Sequence, residues 1–181
     1  MDEKRLLISF RRGDSEAFQF LRERHAARLW QLARMRGASE SEAEDLVQET
    51  FLAAYQGRER FRGGSTLSTY LTAILLRHQR DATRKRPEDH SPLSDSLPYA
   101  EPGDTLERLH LREALEALEE PHRDVLLLVS VAGLASKEAG DVLGISDAAV
   151  RQRLMVATRL LRARLSASDS IEEENHALTP A

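Results

Sequence analysis

Residues 134–165, LASKEAGDVLGISDAAVRQRLMVATRLLRARL, constrain the fold more than any other stretch, because they read as two helices separated by a three-residue turn. The short first helix, Ser136 to Leu143, stops at Gly144, and glycine accepts the left-handed conformation that a helix C-terminus often needs. Ile145 can fill the angle between the helices, and Ser146 can cap the second through its hydroxyl. Val150, Leu154, Ala157, Leu161 and Leu165 recur at helical spacing, so one face of the second helix turns inward. Asp147, Ala148, Arg151, Gln152 and Met155 are left facing outward. Arg151 and Gln152 are able to hydrogen-bond base edges in pairs, whereas Arg153, Arg159, Arg162 and Arg164 are charges suited to phosphates. Gly140 leaves room for a close crossing of the two helices. The pattern is that of a helix-turn-helix; a plain helical hairpin with a solvated basic face is the alternative on this stretch alone.

The rest of the composition narrows the class. The chain has 181 residues and no cysteine, which excludes disulfides, thiolate metal sites and thiol redox chemistry. No apolar run approaches the roughly 20 residues of a membrane span, so no membrane insertion is expected. The start, MDEKRLLISFRRGD, has too short an apolar run for a signal peptide, which predicts a cytoplasmic protein. Long stretches rich in Ala, Leu, Glu and Arg predict an all-α fold. A net charge of only −4 argues against a protein that coats nucleic acid indiscriminately.

Along the chain, Leu6, Leu7 and Phe10 predict a short helix closed by Gly13, after which Asp14 can cap a second helix running to Gly37. His25 lies on the apolar stripe of that helix with no second ligand a turn away, so it reads as a partly buried structural histidine. Ser39 with Glu42, and Ser41 with Glu44, each fit a capping box for the next helix, which continues through Phe51 to Tyr55. Its acidic side, around Asp45 and Glu49, suits either solvent or a basic partner. The loop QGRERFRGGSTLS follows, with an aromatic, three arginines and Gly63-Gly64; no Gly-Lys-Ser/Thr follows the glycines, which excludes a phosphate-binding P-loop. A helix over Leu67 to Arg86 comes next, in which Arg77, Arg80 and Arg84 share a face, and residues 77–86 carry a net +4. A basic ridge beside an arginine-bearing loop with hydroxyls and an aromatic suits single-stranded nucleic acid.

Pro87 to Thr105 changes character: four prolines, no Lys or Arg, and a charge of −5 predict an extended, mobile linker. Two further helices are predicted between Leu106 and Val131, the second apolar nearly all round and therefore buried. The polar, acidic tail after Leu165 reads as disordered. Two small helical domains, 1–86 and 106–165, are thus expected, joined by an acidic tether. No nucleophile, base and orienting group can be assembled as a set, and neither a metal site nor a cofactor is expected, so the chain does not read as an enzyme.

In this order, GDSEAFQFLRERHAARLWQLA, AEDLVQETFLAAY, FRGGSTLSTYL, LREALEALEEPHRDVLLLVSVAGL and VLGIS…VRQRL resemble the extracytoplasmic-function sigma factors of bacterial RNA polymerase, across nearly all of residues 5–165. The resemblance implies a region 2 helical bundle, a flexible linker and a region 4 helix-turn-helix. It further implies core RNA polymerase as partner, with Asp45, Gln48, Glu49 and Phe51 docking on the β′ clamp helices and region 4 meeting the β flap. Promoter DNA is the second implied partner. At the −10 element the resemblance implicates Phe61, Arg62, Gly63, Gly64, Ser65, Thr66, Ser68, Thr69, Tyr70, Arg77, Arg80 and Arg84 in trapping flipped bases. At the −35 element it implicates Ser146, Asp147, Ala148, Arg151, Gln152, Arg153 and Met155. An anti-sigma factor is the third implied partner.

This chain departs from the family at several of these positions. Leu76-Arg77 stands where an Arg-Asn pair is common, Ala149, Met155 and Val156 where Thr, His and Arg are common, and Ala135 in place of a serine cap. A stand-alone helix-turn-helix regulator is the competing reading, and it leaves FRGGS and its basic neighbour helix without a role.

Overall fold

The computed structural model describes residues 3–61, 63–85 and 106–177, and every described element is an α-helix, turn or bend. The helices are α1 (Glu3–Arg11), α2 (Ser15–Met35), α3 (Glu40–Gln56), α4 (Leu67–Lys85), α5 (Leu106–Glu116), α6 (Glu120–Ser130), α7 (Ser136–Leu143) and α8 (Asp147–Ala177). The linker expected over 87–105 lies outside the described residues, as does Arg62.

The chain divides into two compact units, Met1–Pro87 with Leu127–Val150, and Glu88–Leu126 with Arg151–Ala181. The boundaries therefore fall inside α6 and α8 and not only at the linker. The reason is visible within the first unit, where α7 joins α4 through side-chain hydrogen bonds described below.

In the first unit, local chemistry starts each helix. Asp14 stands before α2 in extended conformation, and its carboxylate accepts from the amides of Glu16 and Ala17. Ser39 and Glu42 form a reciprocal capping box on α3, with the Ser39 amide donating to Glu42 at 2.8 Å. Of the two boxes that the spacing allows, the first is the one used, and the helix begins at Glu40. α3 packs against both α2 and α4. Ala33, Ala43 and Ala54 are fully buried, and such small side chains let helix backbones approach. Phe18 joins three helices, stacking on Phe10 of α1 at 6.4 Å and meeting Phe51 and Tyr55 of α3 edge-on at 6.1 and 5.1 Å. Thr50 is buried and satisfied, its hydroxyl donating to the Leu46 carbonyl at 2.7 Å.

His25 sits half-buried on α2, as its place on the apolar stripe predicts. Burial, reinforced by Arg24 and Arg28, lowers its pKa to about 4, so the ring is neutral near neutral pH.

In the second unit, Ala114 and Leu115 of α5, Leu118 in the turn that follows it, Val125 and Leu126 of α6, and Ala157 of α8 are buried. Pro121 occupies the second position of α6, where its missing amide hydrogen is no loss. α8 is a single helix to Ala177 and does not stop at Leu165. No Gly or Pro occurs between Ile145 and Thr179, so the polar composition of 166–177 brings no backbone breaker with it. Among the described residues no helix is long and apolar enough to cross a membrane.

Candidate nucleic-acid interface

The helix-turn-helix is built as its sequence requires. α7 ends at Gly144, which has φ +70° in the left-handed region, and the Ile145 amide closes back on the Gly140 carbonyl at 3.0 Å. A side chain at Gly140 would place its Cβ 2.6 Å from the Ile145 carbonyl oxygen, so the turn depends on glycine there. Ser146 accepts the Ala149 amide at 3.2 Å and caps α8. At the start of α7, Ala135 has no side-chain oxygen to offer, but its amide donates to Glu138 at 2.9 Å, so half of a capping box survives.

On α8 the inward stripe is narrower than its spacing suggests. Val150 and Ala157 are fully buried, whereas Leu154, Leu161 and Leu165 are half-buried. Ala148, Arg151, Gln152 and Met155 are exposed, and Asp147 and Arg153 are half-buried. Met155 is 67% exposed, the most of any large apolar side chain described.

The FRGGS loop and α4 divide differently from the set the resemblance implies. Phe61 is buried and stacks on Tyr70 with ring centroids 4.4 Å apart, so it supports the loop from beneath. Burial raises the Tyr70 phenol above its ordinary pKa, with Arg77 pulling the other way. Gly63 adopts φ +73°, and a Cβ there would lie 2.9 Å from Leu7 of α1, which fixes glycine at the loop's bend. Gly64 is open, and Ser65 and Ser68 are half-exposed. Thr66 receives the Thr69 amide at 3.2 Å and so caps α4, while Thr69 is buried. Along α4, Arg77 and Arg80 are exposed on the face that also carries Tyr70 and Arg84 by the helical repeat. Leu76, standing where an arginine is common, is a core residue, 2% exposed.

The threonines have a partner that the sequence did not announce. Glu138 of α7 accepts from the hydroxyls of Thr66 and Thr69, each at 2.8 Å, and the two hydroxyls are themselves 2.8 Å apart. Burial alone would raise the Glu138 pKa, but the Ala135 amide and the two hydroxyls outweigh it and hold the carboxyl below its ordinary value. Both hydroxyls are thus committed within the first unit in this structure. A groove of about 400 Å³ beside them is lined by Leu7, Phe61, Ser65, Thr66, Glu138 and Asp141, among others.

On α3, Asp45, Gln48 and Glu49 are exposed, and Glu49 lies 3.3 Å from His78 Nδ1. Phe51, placed with them by the resemblance, is 4% exposed and packs on Phe18, so it belongs to the core. The exposed apolar side chain on this face is its neighbour Leu52, at 58%. A helical wheel reveals it: at about 100° per residue Leu52 falls beside Asp45 and Gln48, away from Phe51 and Ala54. Among the described residues no group of three or more His, Asp or Glu side chains gathers as a metal ion would need.

Two family descriptions match the chain, Sigma-70 region 2 over residues 21–87 and Sigma-70 region 4 over residues 108–165. RNA polymerase sigma factor CarQ of Myxococcus xanthus is 38% identical over 156 residues, covering 80% of this chain and 86% of CarQ. RNA polymerase sigma factor NccH of Alcaligenes xylosoxydans xylosoxydans is 32% identical over 168 residues, covering 86% and 90%. Among solved structures, CnrH in complex with the cytosolic domain of CnrY is similar with a TM-score of 0.73 at 30% identity, covering 91% of this chain and 97% of that one.

Proposed function

The chain belongs to the extracytoplasmic-function sigma factors of bacterial RNA polymerase, and on that premise we propose how its surfaces divide the work of initiating transcription. The exposed row of Asp45, Gln48 and Leu52 on α3, with Glu49 at its edge, docks on the β′ clamp helices of core polymerase. An apolar side chain ringed by polar and acidic ones has the make-up of an interface anchor, and the acidic rim favours a basic partner. Region 4 meets the β flap. Core binding brings the promoter to the two basic surfaces.

The loop from Gly63 to Ser68 and the Tyr70–Arg77–Arg80 face of α4 engage the −10 element as the duplex opens. Arginines neutralise phosphates there, and trapping unstacked bases offsets part of the melting cost of a few kcal/mol per base. Phe61, Thr66 and Thr69 shape this surface from within: the ring supports Tyr70 and the hydroxyls organise the start of α4. Release of Thr66 and Thr69 from Glu138 would make both hydroxyls available to the single strand. α8 enters the major groove at the −35 element, with Arg151 and Gln152 on base edges and Arg159 and Arg162 among the phosphate partners. CnrH was solved in complex with a second protein, the cytosolic domain of CnrY, and we propose that this chain too is bound by a separate protein, an anti-sigma factor that holds it inactive.

The observation that carries this reading is the pairing of an outward-facing, arginine-rich α8 with a second basic face on α4, within the two matched sigma regions. The test is transcription in vitro from fragmented genomic DNA by bacterial core polymerase with and without the protein, mapping every start. Starts that need the protein and share paired upstream elements are expected. Absence of new starts, together with tight duplex binding without polymerase, would overturn it.

A further inference from the structure

We propose that Met155 is a specificity-determining residue that reads the 5-methyl group of a thymine in the major groove of the −35 element. The inference rests on the assignment of α8 as the helix that enters that groove. Met155 is 67% exposed on a helix face that otherwise carries arginines, Gln152 and the small Ala148. By the 3.6-residue repeat, Arg151 and Arg162 lie about 20–40° to one side of it and Ala148 and Arg159 about 20–40° to the other. Arg151 and Arg159 also stand one turn before and one turn after it, ~6 Å along the axis in each direction. Arg151, Leu154, Met155, Thr158, Arg159 and Arg162, all from α8, line a shallow open depression of about 540 Å³. The Thr158 hydroxyl is turned back onto the Leu154 carbonyl at 2.8 Å, so it offers no hydrogen-bond donor to a base edge.

An apolar side chain set among cationic ones states the chemistry of its occupant. Arg159 and Arg162 ask for anions, as the phosphates of duplex DNA supply, while Arg151 reaches a base edge one turn before Met155. Met155 asks for an apolar group beside them. In the major groove the thymine 5-methyl is the apolar group that base pairs present, whereas guanine, cytosine and adenine show donors and acceptors. A thioether is flexible enough to settle against a methyl group without demanding one geometry. A polar residue at this position would read a donor or acceptor instead; methionine cannot, and so shifts the preferred base to thymine.

The test uses holoenzyme assembled from core polymerase and the full chain, with a promoter fragment mapped by the transcription assay above. Each thymine of its upstream element is replaced in turn by deoxyuridine, which removes the 5-methyl and nothing else. One replacement is expected to weaken binding about fourfold, the equivalent of ~0.8 kcal/mol for one methyl-sized group withheld from water. Met155→Gln should weaken binding to the thymine fragment by the same factor and make holoenzyme indifferent to that deoxyuridine, while Met155→Leu keeps the preference. Unchanged unfolding midpoints of both variants establish that the fold is intact, as the exposure of Met155 leads one to expect. Mapped promoters on which every deoxyuridine is neutral, or on which Met155→Gln retains the thymine preference, would overturn the assignment and turn the depression over to a protein partner. If no start site depends on the protein at all, the sigma-factor reading fails and this inference fails with it.

Discussion

Gly140→Ala is the most demanding test of how the helix-turn-helix is held. The added Cβ would stand 2.6 Å from the Ile145 carbonyl oxygen and 3.6 Å from the Asp147 amide nitrogen. The obstruction is backbone, and that backbone is tied down, because the Ile145 amide donates to the Gly140 carbonyl at 3.0 Å and Gly144 holds a left-handed φ of +70°. Relief therefore requires the turn to move away from α7. Forcing a methyl group into packed surroundings costs about 1–3 kcal/mol. Alanine repays ~0.8–1 kcal/mol of helix propensity within α7. Because the 2.6 Å contact is with backbone, the upper end of that cost applies and the net expectation is a loss of about 2 kcal/mol, which would lower the unfolding midpoint by several degrees if the affected unit melts like a domain of 60–100 residues. Thermal and urea unfolding of the full chain measure it, with Gly64→Ala as control, since nothing lies within 4 Å of a Cβ built there. Upstream promoter contacts should weaken in parallel, because the turn sets the angle at which α8 leaves α7. A Gly140→Ala protein as stable as wild type, or more so, would show that the close approach is not what requires glycine.

Other expectations follow from single side chains. Leu52→Glu should leave the unfolding midpoint nearly unchanged yet lower affinity for core polymerase at least tenfold in a fluorescence-anisotropy titration, whereas Phe51→Ala should cost about 3–5 kcal/mol of stability; the opposite pattern would return the docking role to Phe51. The His25 pKa of about 4 in the fold, against 6.5 unfolded, means that the unfolded chain takes up the proton first, so stability falls as pH drops from 6.5 towards 4. His25→Gln should flatten urea-unfolding free energies across that window, and an unaltered slope would contradict the burial argument. Glu138 is shifted in the direction of the charged form, so its contribution is present above its ordinary value of 4.5 and is lost as pH falls through the lower folded value. The stability gap between wild type and Glu138→Gln should therefore shrink below pH 4.5, which acid-limb unfolding curves can check.

The lessons of sequence and structure differ by length scale. Much that depends on neighbours a turn apart is legible in the sequence: Asp14 and Ser39 cap α2 and α3, Gly144 ends α7, and Ser146 starts α8, though the Thr66 cap of α4 is not among the features the pattern announces. The outward set Ala148, Arg151, Gln152 and Met155 is legible for the same reason, since a 3.6-residue repeat places side chains without reference to the rest of the chain. The extent of α8 is not, because acidic and polar composition suggests a stop where no residue breaks the backbone.

The family motifs located each surface and misplaced some of its members. Phe51, Phe61 and Thr69 lie in the motifs and yet are buried, while Leu52, in the same motif as Phe51, is the exposed apolar residue of the α3 face. Motif membership records that a residue matters, whether by touching a partner or by holding up one that does. Only packing separates the two roles, since it depends on which residues from distant parts of the chain fill the space beneath, as Phe18 does for Phe51. The hydrogen bonds from Thr66 and Thr69 to Glu138 span about seventy positions, and no local pattern encodes them. By itself the sequence determined the helices, their caps and the class of the molecule, because those arise from interactions within a turn or two of the chain. The tertiary structure decided which side chains remain available for a partner, because availability is the part of each helix face that long-range packing leaves uncovered.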